Sequence, residues 1–266
     1  MSVIEKALSR TRAQHLLDAS AAPRAPADQT IGTQPRTPLH FRTVALDPVT
    51  LERNCVLPQV TDRAALRAYK ILRTRLLQRL AAKKWRSLVV TSTKSGEGKT
   101  LTTINLAVAL SQDPNTRVCL VDFDLQRPQV AAQLGIKCEQ GLGDYLLGEA
   151  EVEQVIYDCG LPSLLVIPNV RTFDHSSEML ASTRARELLR LIDAQLPNHI
   201  VIFDMPPLTS DDVLTFAPRV DGVLLVVGEG RTDRSGLEKS KELLAEMNLL
   251  GVVLNCSAER DVETAY

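Results

Sequence analysis

The residues best suited to chemistry lie between positions 87 and 105, in the stretch SLVVTSTKSGEGKTLTTIN. An apolar run leads into a loop of Ser, Thr and Gly residues that closes with Gly98, Lys99 and Thr100, and helix-forming residues follow. A strand that leads through such a loop into a helix N-terminus predicts a polyphosphate site, because loop N–H groups and the helix dipole point at the anion. Lys99 would add a positive charge, and the Thr100 hydroxyl would be available to Mg²⁺.

The loop departs from the usual P-loop pattern at one position. That pattern places a glycine six residues before the lysine, where this chain has Thr93. The alternative is an ordinary glycine-containing turn between a strand and a helix, but Gly-Lys-Thr after an apolar strand is a specific combination. The residues that we predict to contact the bound group are Lys94, Ser95, Gly96, Glu97, Gly98, Lys99, Thr100, Leu101 and, in the last predicted strand, Asn255.

Carboxylates end two other apolar runs. Asp122 and Asp124 follow one of them, and Asp204 follows the other. In an open α/β sheet the carboxyl ends of the strands line the ligand crevice, so these three side chains could converge on a Mg²⁺ ion beside Thr100. The alternative for each is a turn former or a helix cap.

Strands and helices alternate from residue 87 onward. Continuous apolar runs such as residues 223–227 fit a parallel sheet that is covered on both faces. We therefore predict a doubly wound α/β domain with a mostly parallel sheet and helices on both faces, the P-loop NTPase architecture. The predicted strands are 87–92, 117–122, 164–168, 200–204, 222–228 and 251–255, and the predicted helices are 62–84, 99–112, 143–148, 178–195, 210–217 and 234–248.

The first 60 residues differ in composition from the rest. Residues 1–18 could form a short helix, whereas residues 19–60 contain six prolines and few large apolar side chains, which predicts a flexible linker. We therefore divide the chain into an N-terminal segment, 1–60, and a globular domain, 61–266. The predicted helix over residues 62–84 is unusually basic. Three interpretations of it stay open: a solvated face, a subunit interface and contact with anionic lipid.

The bulk composition limits the classes of function. A formal net charge of -1 and an aromatic content of 4% over 266 residues argue against a nucleic-acid partner. No apolar run reaches the ~20 residues needed to span a bilayer, and the N-terminus lacks the apolar core of a signal peptide. We therefore expect a cytoplasmic protein.

Three segments together resemble the Walker A, Walker A′ and Walker B motifs of bacterial tyrosine autokinases, within the wider ParA/MinD-like P-loop ATPases. They read TSTKSGEGKT, VCLVDFDLQRP and VIFDMPP. These cytoplasmic kinases regulate capsule and exopolysaccharide synthesis. Residues 67–74, RAYKILRT, resemble the family's helix motif at subunit contacts, and residues 141–146 and 177–182 are also similar to family segments.

The resemblance implies transfer of the γ-phosphoryl group of ATP to tyrosine, largely through positioning and charge stabilisation. Lys99 and Thr100 would bind the β- and γ-phosphates and Mg²⁺. Asp122 and Asp204 would organise the metal together with Thr100. Asp122 or Asp124 would help to activate the tyrosine hydroxyl. The implied catalytic residues are thus Lys99, Asp122, Asp124 and Asp204.

The resemblance also implies partners. The chain would form a homo-oligomer through the helix over residues 62–84. A separate inner-membrane activator of the chain-length or copolymerase type would hold it at the inner face of the plasma membrane. Self-modification would take place at a C-terminal tyrosine, for which Tyr266 is the candidate.

Three departures from the family pattern keep other functions open. Gln126 stands where the Walker A′ pattern has arginine, and the final segment has one tyrosine instead of a cluster. Lys94 occupies the position of the signature lysine of ParA/MinD-type ATPases, although Ser95 replaces a glycine of that pattern. The alternatives are a ParA/MinD-like ATPase switch and an ATP-binding scaffold without tyrosine kinase activity.

Overall fold

An eight-stranded sheet organises residues 41–257, which are the residues that the computed structural model describes. Its strands are β1 (Arg42–Thr43), β2 (Ser87–Ser92), β3 (Arg117–Asp122), β4 (Tyr157–Asp158), β5 (Leu164–Ile167), β6 (His199–Asp204), β7 (Gly222–Gly228) and β8 (Leu249–Asn255). The strand order is β1-β4-β5-β3-β6-β2-β7-β8. All neighbouring strands are parallel except the antiparallel pair β4 and β5.

Helices connect these strands. They are α1 (Pro48–Arg53), α2 (Arg63–Lys83), α3 (Lys99–Ser111), α4 (Val130–Leu134), α5 (Leu142–Leu147), α6 (Val152–Val155), α7 (Ser176–Ala181), α8 (Thr183–Gln195), α9 (Asp211–Phe216) and α10 (Arg234–Leu243). A 3₁₀ turn over Ala217–Arg219 follows α9.

Apolar side chains pack on both faces of the sheet. On β3, Cys119 and Val121 belong to one buried cluster, which includes Leu188 of α8. The alternate residues Val118 and Leu120 belong to a second cluster, which includes side chains of α2 and α3. A strand covered on both faces has no polar side, which explains the continuous apolar runs in the sequence. The predicted doubly wound α/β fold is therefore confirmed.

All six predicted strands are present, but some predicted helices have different bounds. The helix predicted over 178–195 is two helices, α7 and α8, which meet at Ser182. The Ser182 side chain accepts a hydrogen bond from the backbone N–H of Ala185 and so caps the second helix. The predicted helix over 234–248 ends at Leu243. Two-residue strands and helices of four to six residues leave too little periodicity in the sequence to be predicted.

The prediction of a flexible linker is wrong for residues 41–60. This segment holds β1 and α1, and Leu51, Val56 and Leu57 are buried in the second cluster. Asn105 of α3 accepts the Leu57 backbone N–H at 2.8 Å through Oδ1 and donates through Nδ2 to the Cys55 carbonyl at 3.0 Å. The prolines of this segment were interpreted as a sign of a linker, but Pro48 occupies the first turn of α1, where proline is favoured. The predicted helix over 1–18 and the linker up to residue 40 lie outside the described residues.

Helix α2 is the basic helix expected from the sequence. Its own residues Leu76 and Leu80 are buried and belong to the second cluster. Two of its arginines hold the chain itself together, since Arg73 donates to the Ala109 carbonyl at 3.2 Å and Arg79 donates to the Leu250 carbonyl. Across residues 41–257, no helix is long and apolar enough to cross a membrane.

Candidate active site

The phosphate loop joins β2 to α3, and glycine geometry shapes it. Gly98 caps α3 with φ +80°, in the left-handed region, and Gly96 has φ +85°. A Cβ atom on Gly98 would lie 2.2 Å from Nδ2 of Asn255, the residue that donates a 2.9 Å hydrogen bond to the Glu97 carbonyl. Glycine is therefore required at position 98 both by the backbone angle and by the space.

A buried carboxylate holds this loop from within. Glu97 accepts hydrogen bonds at Oε2 from the backbone N–H groups of Thr93 (2.8 Å) and Lys94 (3.2 Å). Its Oε1 accepts the hydroxyls of Thr93 (2.5 Å) and of Thr232, which follows β7. Thr93, the residue that departs from the usual pattern, thus contributes two of the bonds that fix the loop. A glycine at this position would lack the hydroxyl that donates one of these bonds to Glu97.

Lys99 is the centre of the charged site at the start of α3. Its Nζ lies 3.0 Å from each carboxylate oxygen of Asp204 and 3.3 Å from Oδ2 of Asp124. The Thr100 hydroxyl donates to Asp204 Oδ2 at 2.7 Å, and the Thr103 hydroxyl donates to Oδ1 at 3.0 Å. Burial alone would lower the pKa of Lys99, but the charges of Asp204 and then Asp124 raise it above its ordinary value. The lysine is therefore a buried cation.

Asp122 is fully buried and pairs with Asp204 in the register of β3 and β6. Its oxygens accept backbone N–H groups of Asp124 (3.3 Å), Gln129 (3.1 Å) and Val130 (3.0 Å), so it caps the start of α4. Burial, followed by the charge of Asp204, raises its pKa well above the usual range. A helix cap was the alternative interpretation of Asp122 in the sequence, and the structure contains that cap.

Asp124 lies two residues further on, at the wall of an open cavity. Its Oδ1 accepts the Arg127 backbone N–H at 3.0 Å, and its Oδ2 faces Lys99. Burial raises its pKa, while the positive charge of Lys99 acts in the opposite direction. The cavity has a volume of about 750 Å³. Residues on its wall include Ser95, Gly96, Gly98, Lys99, Thr100, Leu101, Asp124, Gln126, Gln129, Ser176, Pro207 and Asp212.

The fold and this loop identify the family. A model described as the CobQ/CobB/MinD/ParA nucleotide binding domain matches residues 88–265. The chain belongs to this family. It is 29% identical over 208 residues to the protein named tyrosine-protein kinase YwqD of Bacillus subtilis, covering 77% of this chain and 86% of that protein. The predicted resemblance to bacterial tyrosine kinases within the MinD/ParA-like ATPases is therefore confirmed.

Solved structures of two kinds share the fold. The kinase domain of Escherichia coli tyrosine kinase ETK is 26% identical with a TM-score of 0.70, and the match covers 87% of this chain and 89% of that one. The septum site-determining protein MinD from Pyrococcus horikoshii, complexed with Mg-ADP, is also 26% identical, with a TM-score of 0.53 and coverage of 64% and 69%. The architecture around the MinD/ParA-type loop is thus common to proteins named as kinases and to MinD.

The predicted site residues occupy three kinds of position. Most of those in the loop line the cavity, with Asp204 buried against Lys99. Lys94 and Asn255 instead contact neighbouring protein groups: Lys94 Nζ lies 3.9 Å from Asp233 Oδ2, and Asn255 supports the loop. Tyr266 lies outside the described residues.

Sequence reasoning missed two residues on the cavity wall, Ser176 and Asp212. Ser176 lies at the start of α7 and Asp212 in the first turn of α9, and both are buried. The available signal was the run Ser210-Asp211-Asp212, which follows Pro206-Pro207 closely.

Proposed function

We propose that this protein is an ATP-dependent protein tyrosine kinase of capsule or exopolysaccharide synthesis, which transfers the γ-phosphoryl group of ATP to a tyrosine hydroxyl. The observation that carries the proposal is the buried Lys99 ammonium held by Asp204 and Asp124 at a helix N-terminus, beside a cavity of about 750 Å³. The names of the relatives supply the reaction class, since several are called tyrosine-protein kinases.

The residues at the start of α3 fit Mg²⁺ and a nucleotide polyphosphate. Thr100 Oγ1 and Asp204 Oδ2 are hard oxygen atoms only 2.7 Å apart, and Mg²⁺ takes few protein ligands of this type. When bound, the ion would neutralise charge on the phosphate oxygens. Asp122 fits a supporting role better than direct coordination, because three backbone N–H groups already occupy its oxygens. The ligands proposed here are thus Thr100 and Asp204, with Asp122 adjacent.

The chain's own groups would stabilise the transferred phosphoryl group by position and charge. Lys99 keeps its proton because two carboxylates raise its pKa, so it can move from Asp204 and Asp124 onto phosphate oxygens. Gly96 and Gly98 of the loop and the first residues of α3 line the cavity, so their N–H groups would be available to phosphate oxygens there. Glu97 keeps that loop in shape before the nucleotide arrives.

Homo-oligomerisation through α2 and activation by a separate inner-membrane protein belong to the same proposal. Arg75 of α2 is exposed and Ile71 is 44% exposed, so part of this helix is free to contact another copy. The membrane activator and the peripheral location that it would give rest on the resemblance alone.

Two alternatives use the same nucleotide site. An ATPase switch of the MinD type is favoured by Lys94 and by the likeness to MinD, and it would release ADP and phosphate without modifying protein. A scaffold would bind ATP without turnover. Both lack phosphotyrosine as a product.

The deciding experiment is incubation of the purified full chain with Mg-ATP, followed by phosphotyrosine detection and mass spectrometry. We expect phosphate on tyrosine, with Tyr266 as the first candidate, and none in Lys99→Ala. Removing that charge should also weaken Mg-ATP binding by about 2–3 kcal/mol, measured by calorimetry. ADP release without phosphotyrosine would favour the switch, and unchanged Mg-ATP affinity in folded Lys99→Ala would overturn the site itself.

A further inference from the structure

Asp212, a buried carboxylate on the cavity wall, differs from the three buried carboxylates near Lys99. Both oxygens of Asp122, Asp124 and Asp204 have hydrogen-bond or ion-pair partners. Asp212 is 1% exposed, and its Oδ1 accepts the Ser176 hydroxyl at 2.9 Å. Its Oδ2 is buried and accepts no hydrogen bond of ordinary geometry within residues 41–257, although the Ser210 hydroxyl lies close enough to the carboxyl group to lower its pKa. A buried polar oxygen without a donor costs free energy, so it points to a partner that arrives with a ligand.

A chain of hydrogen bonds fixes the position of Asp212. Gln126 Nε2 donates to Ser176 Oγ at 2.9 Å, and Ser176 Oγ donates in turn to Asp212. The three residues come from the loop after β3, the start of α7 and the start of α9, so three separate segments meet at this wall. Gln126 is neutral, and it stands where the family motif has arginine, so this chain of bonds brings no cation to the carboxylate.

The chemistry of the wall indicates what would bind there. A phosphate group would be repelled by the Asp212 carboxylate, and Lys99 and the loop N–H groups, which suit phosphate, lie in the phosphate loop. Arg127 also lies on the cavity wall, but it makes no ion pair with Asp212. No group of three Asp, Glu, His or Cys residues that could hold a metal is present in the part of the chain that the structure describes. An unpaired carboxylate oxygen instead matches a hydrogen-bond donor. A carboxyl group turns broadly about its last torsion, so Oδ2 can meet a group that enters the cavity.

We propose that Asp212 binds the acceptor: its Oδ2 accepts a hydrogen bond from the tyrosine hydroxyl that is to be phosphorylated, and Ser176 and Gln126 are positioning residues that hold it. This inference rests on the proposed kinase function and deepens it. It assigns acceptor recognition to the part of the cavity wall that Gln126, Ser176 and Asp212 form.

The test uses one protein as the enzyme and a different variant of the same chain as the acceptor. Full-length Lys99→Ala chain serves as the acceptor, because it keeps every tyrosine and lacks the lysine proposed to be needed for transfer. Wild type, Asp212→Asn, Ser176→Ala and Asp211→Asn serve as enzymes with labelled Mg-ATP. Asp212→Asn keeps an oxygen for Ser176 but can present an N–H donor where Oδ2 was. Asp211→Asn is the matched control, because it removes the same charge from the same turn of α9 at an exposed residue that also lines the cavity, so it tests the loss of negative charge there without the loss of the Asp212 oxygen.

We expect Asp212→Asn to lower kcat/KM for the acceptor by about 10- to 100-fold, with Mg-ATP affinity within about twofold of wild type. Ser176→Ala should raise KM for the acceptor several-fold, because the carboxylate keeps its charge but loses its support. Asp211→Asn should behave as wild type. Thermal unfolding of each variant checks the fold, and Ser176→Ala carries the test if Asp212→Asn does not fold.

Three results would count against the assignment. Equal acceptor kinetics in Asp212→Asn and wild type would remove Asp212 from the acceptor site, as would an equal loss in Asp211→Asn. A fall in Mg-ATP affinity that matches the fall in rate would place Asp212 at the nucleotide. Absence of phosphotyrosine with the wild-type enzyme would overturn the kinase function itself. The wild-type reaction therefore distinguishes failure of the kinase function from failure of the Asp212 assignment.

Discussion

Alanine substitution at the two glycines of the phosphate loop should have unequal effects on stability. Gly96 and Gly98 both have positive φ, at +85° and +80°. An alanine in that region costs about 1–2 kcal/mol of strain. No heavy atom lies within 4 Å of a Cβ built on Gly96, whereas Asn255 Nδ2 lies 2.2 Å from a Cβ on Gly98. Only the second substitution must displace a neighbour.

The difference between the two variants follows from what Asn255 does. Moving its side chain breaks the 2.9 Å bond to the Glu97 carbonyl, worth about 1 kcal/mol, and overpacking adds about 1–3 kcal/mol. Gly98→Ala should therefore be less stable than Gly96→Ala by about 2–4 kcal/mol, which is roughly 4–16 °C in Tm for a domain of this size.

Urea unfolding of four variants measures this directly. Gly96→Ala is the control for strain, and Asn255→Ala removes the bond and the obstacle together. In Gly98→Ala combined with Asn255→Ala the steric term disappears and the lost bond is counted once, so the pair should show a coupling energy of about 2–4 kcal/mol in magnitude. If Gly98→Ala and Gly96→Ala agree within about 0.5 kcal/mol, the close approach of Asn255 to the loop is refuted.

Three further predictions concern other parts of the structure. Asp122→Asn should destabilise the chain by about 1–3 kcal/mol in urea unfolding, because its amide nitrogen must face either the Asp124 N–H at the Oδ1 position or the two N–H groups that cap α4 at the Oδ2 position; unchanged stability would contradict these contacts. Burial raises the pKa of Asp212 above its ordinary 3.8, although the hydroxyls of Ser176 and Ser210 act in the opposite direction. The folded chain therefore binds this proton more tightly than the unfolded chain, and stability falls as pH rises from about 4 through the raised pKa. Urea unfolding between pH 4 and 7 should show a smaller fall in Asp212→Asn, and parallel curves would contradict this. Exposed Arg75→Glu should lower the oligomer mass in light scattering with Mg-ATP at unchanged Tm, whereas an unchanged mass would remove Arg75 from the interface.

The parts of the fold and site that could be predicted have local signals in the sequence. Residues 223–227 are apolar without interruption because β7 is covered on both faces, and Gly98 with Lys99 marks a loop whose geometry few other residues could adopt. The role of Glu97 could not be predicted in the same way. Its carboxylate turns back onto the loop and reaches Thr232, 135 residues away, which only the folded chain brings near.

The hydrogen-bonded group of Gln126, Ser176 and Asp212 could not be predicted, for the same physical reason. Gln126 and Ser176 are 50 residues apart and Ser176 and Asp212 are 36 apart, so no spacing rule connects them. Asp122 was predicted as a metal ligand because an acid at a strand end suits that role. Whether such an acid caps a helix depends on where the chain turns next, and here α4 begins within reach of its oxygens.

The phosphate side of the cavity does not distinguish a kinase from an ATPase switch, because both need the lysine, the loop and the buried carboxylates. Lys94 does not distinguish them either: its ion pair with Asp233 spans 3.9 Å between side chains that are 47% and 69% exposed, and a pair of that kind holds a lysine only weakly. The acceptor side is different in the two cases. Hydrolysis requires room for one water molecule, of about 30 Å³, beside the γ-phosphate. In this chain a carboxylate with one oxygen that accepts no hydrogen bond lies on the wall of the cavity that would also take the nucleotide. That oxygen can hold the hydroxyl of an incoming side chain, and transfer to tyrosine needs a group that does so.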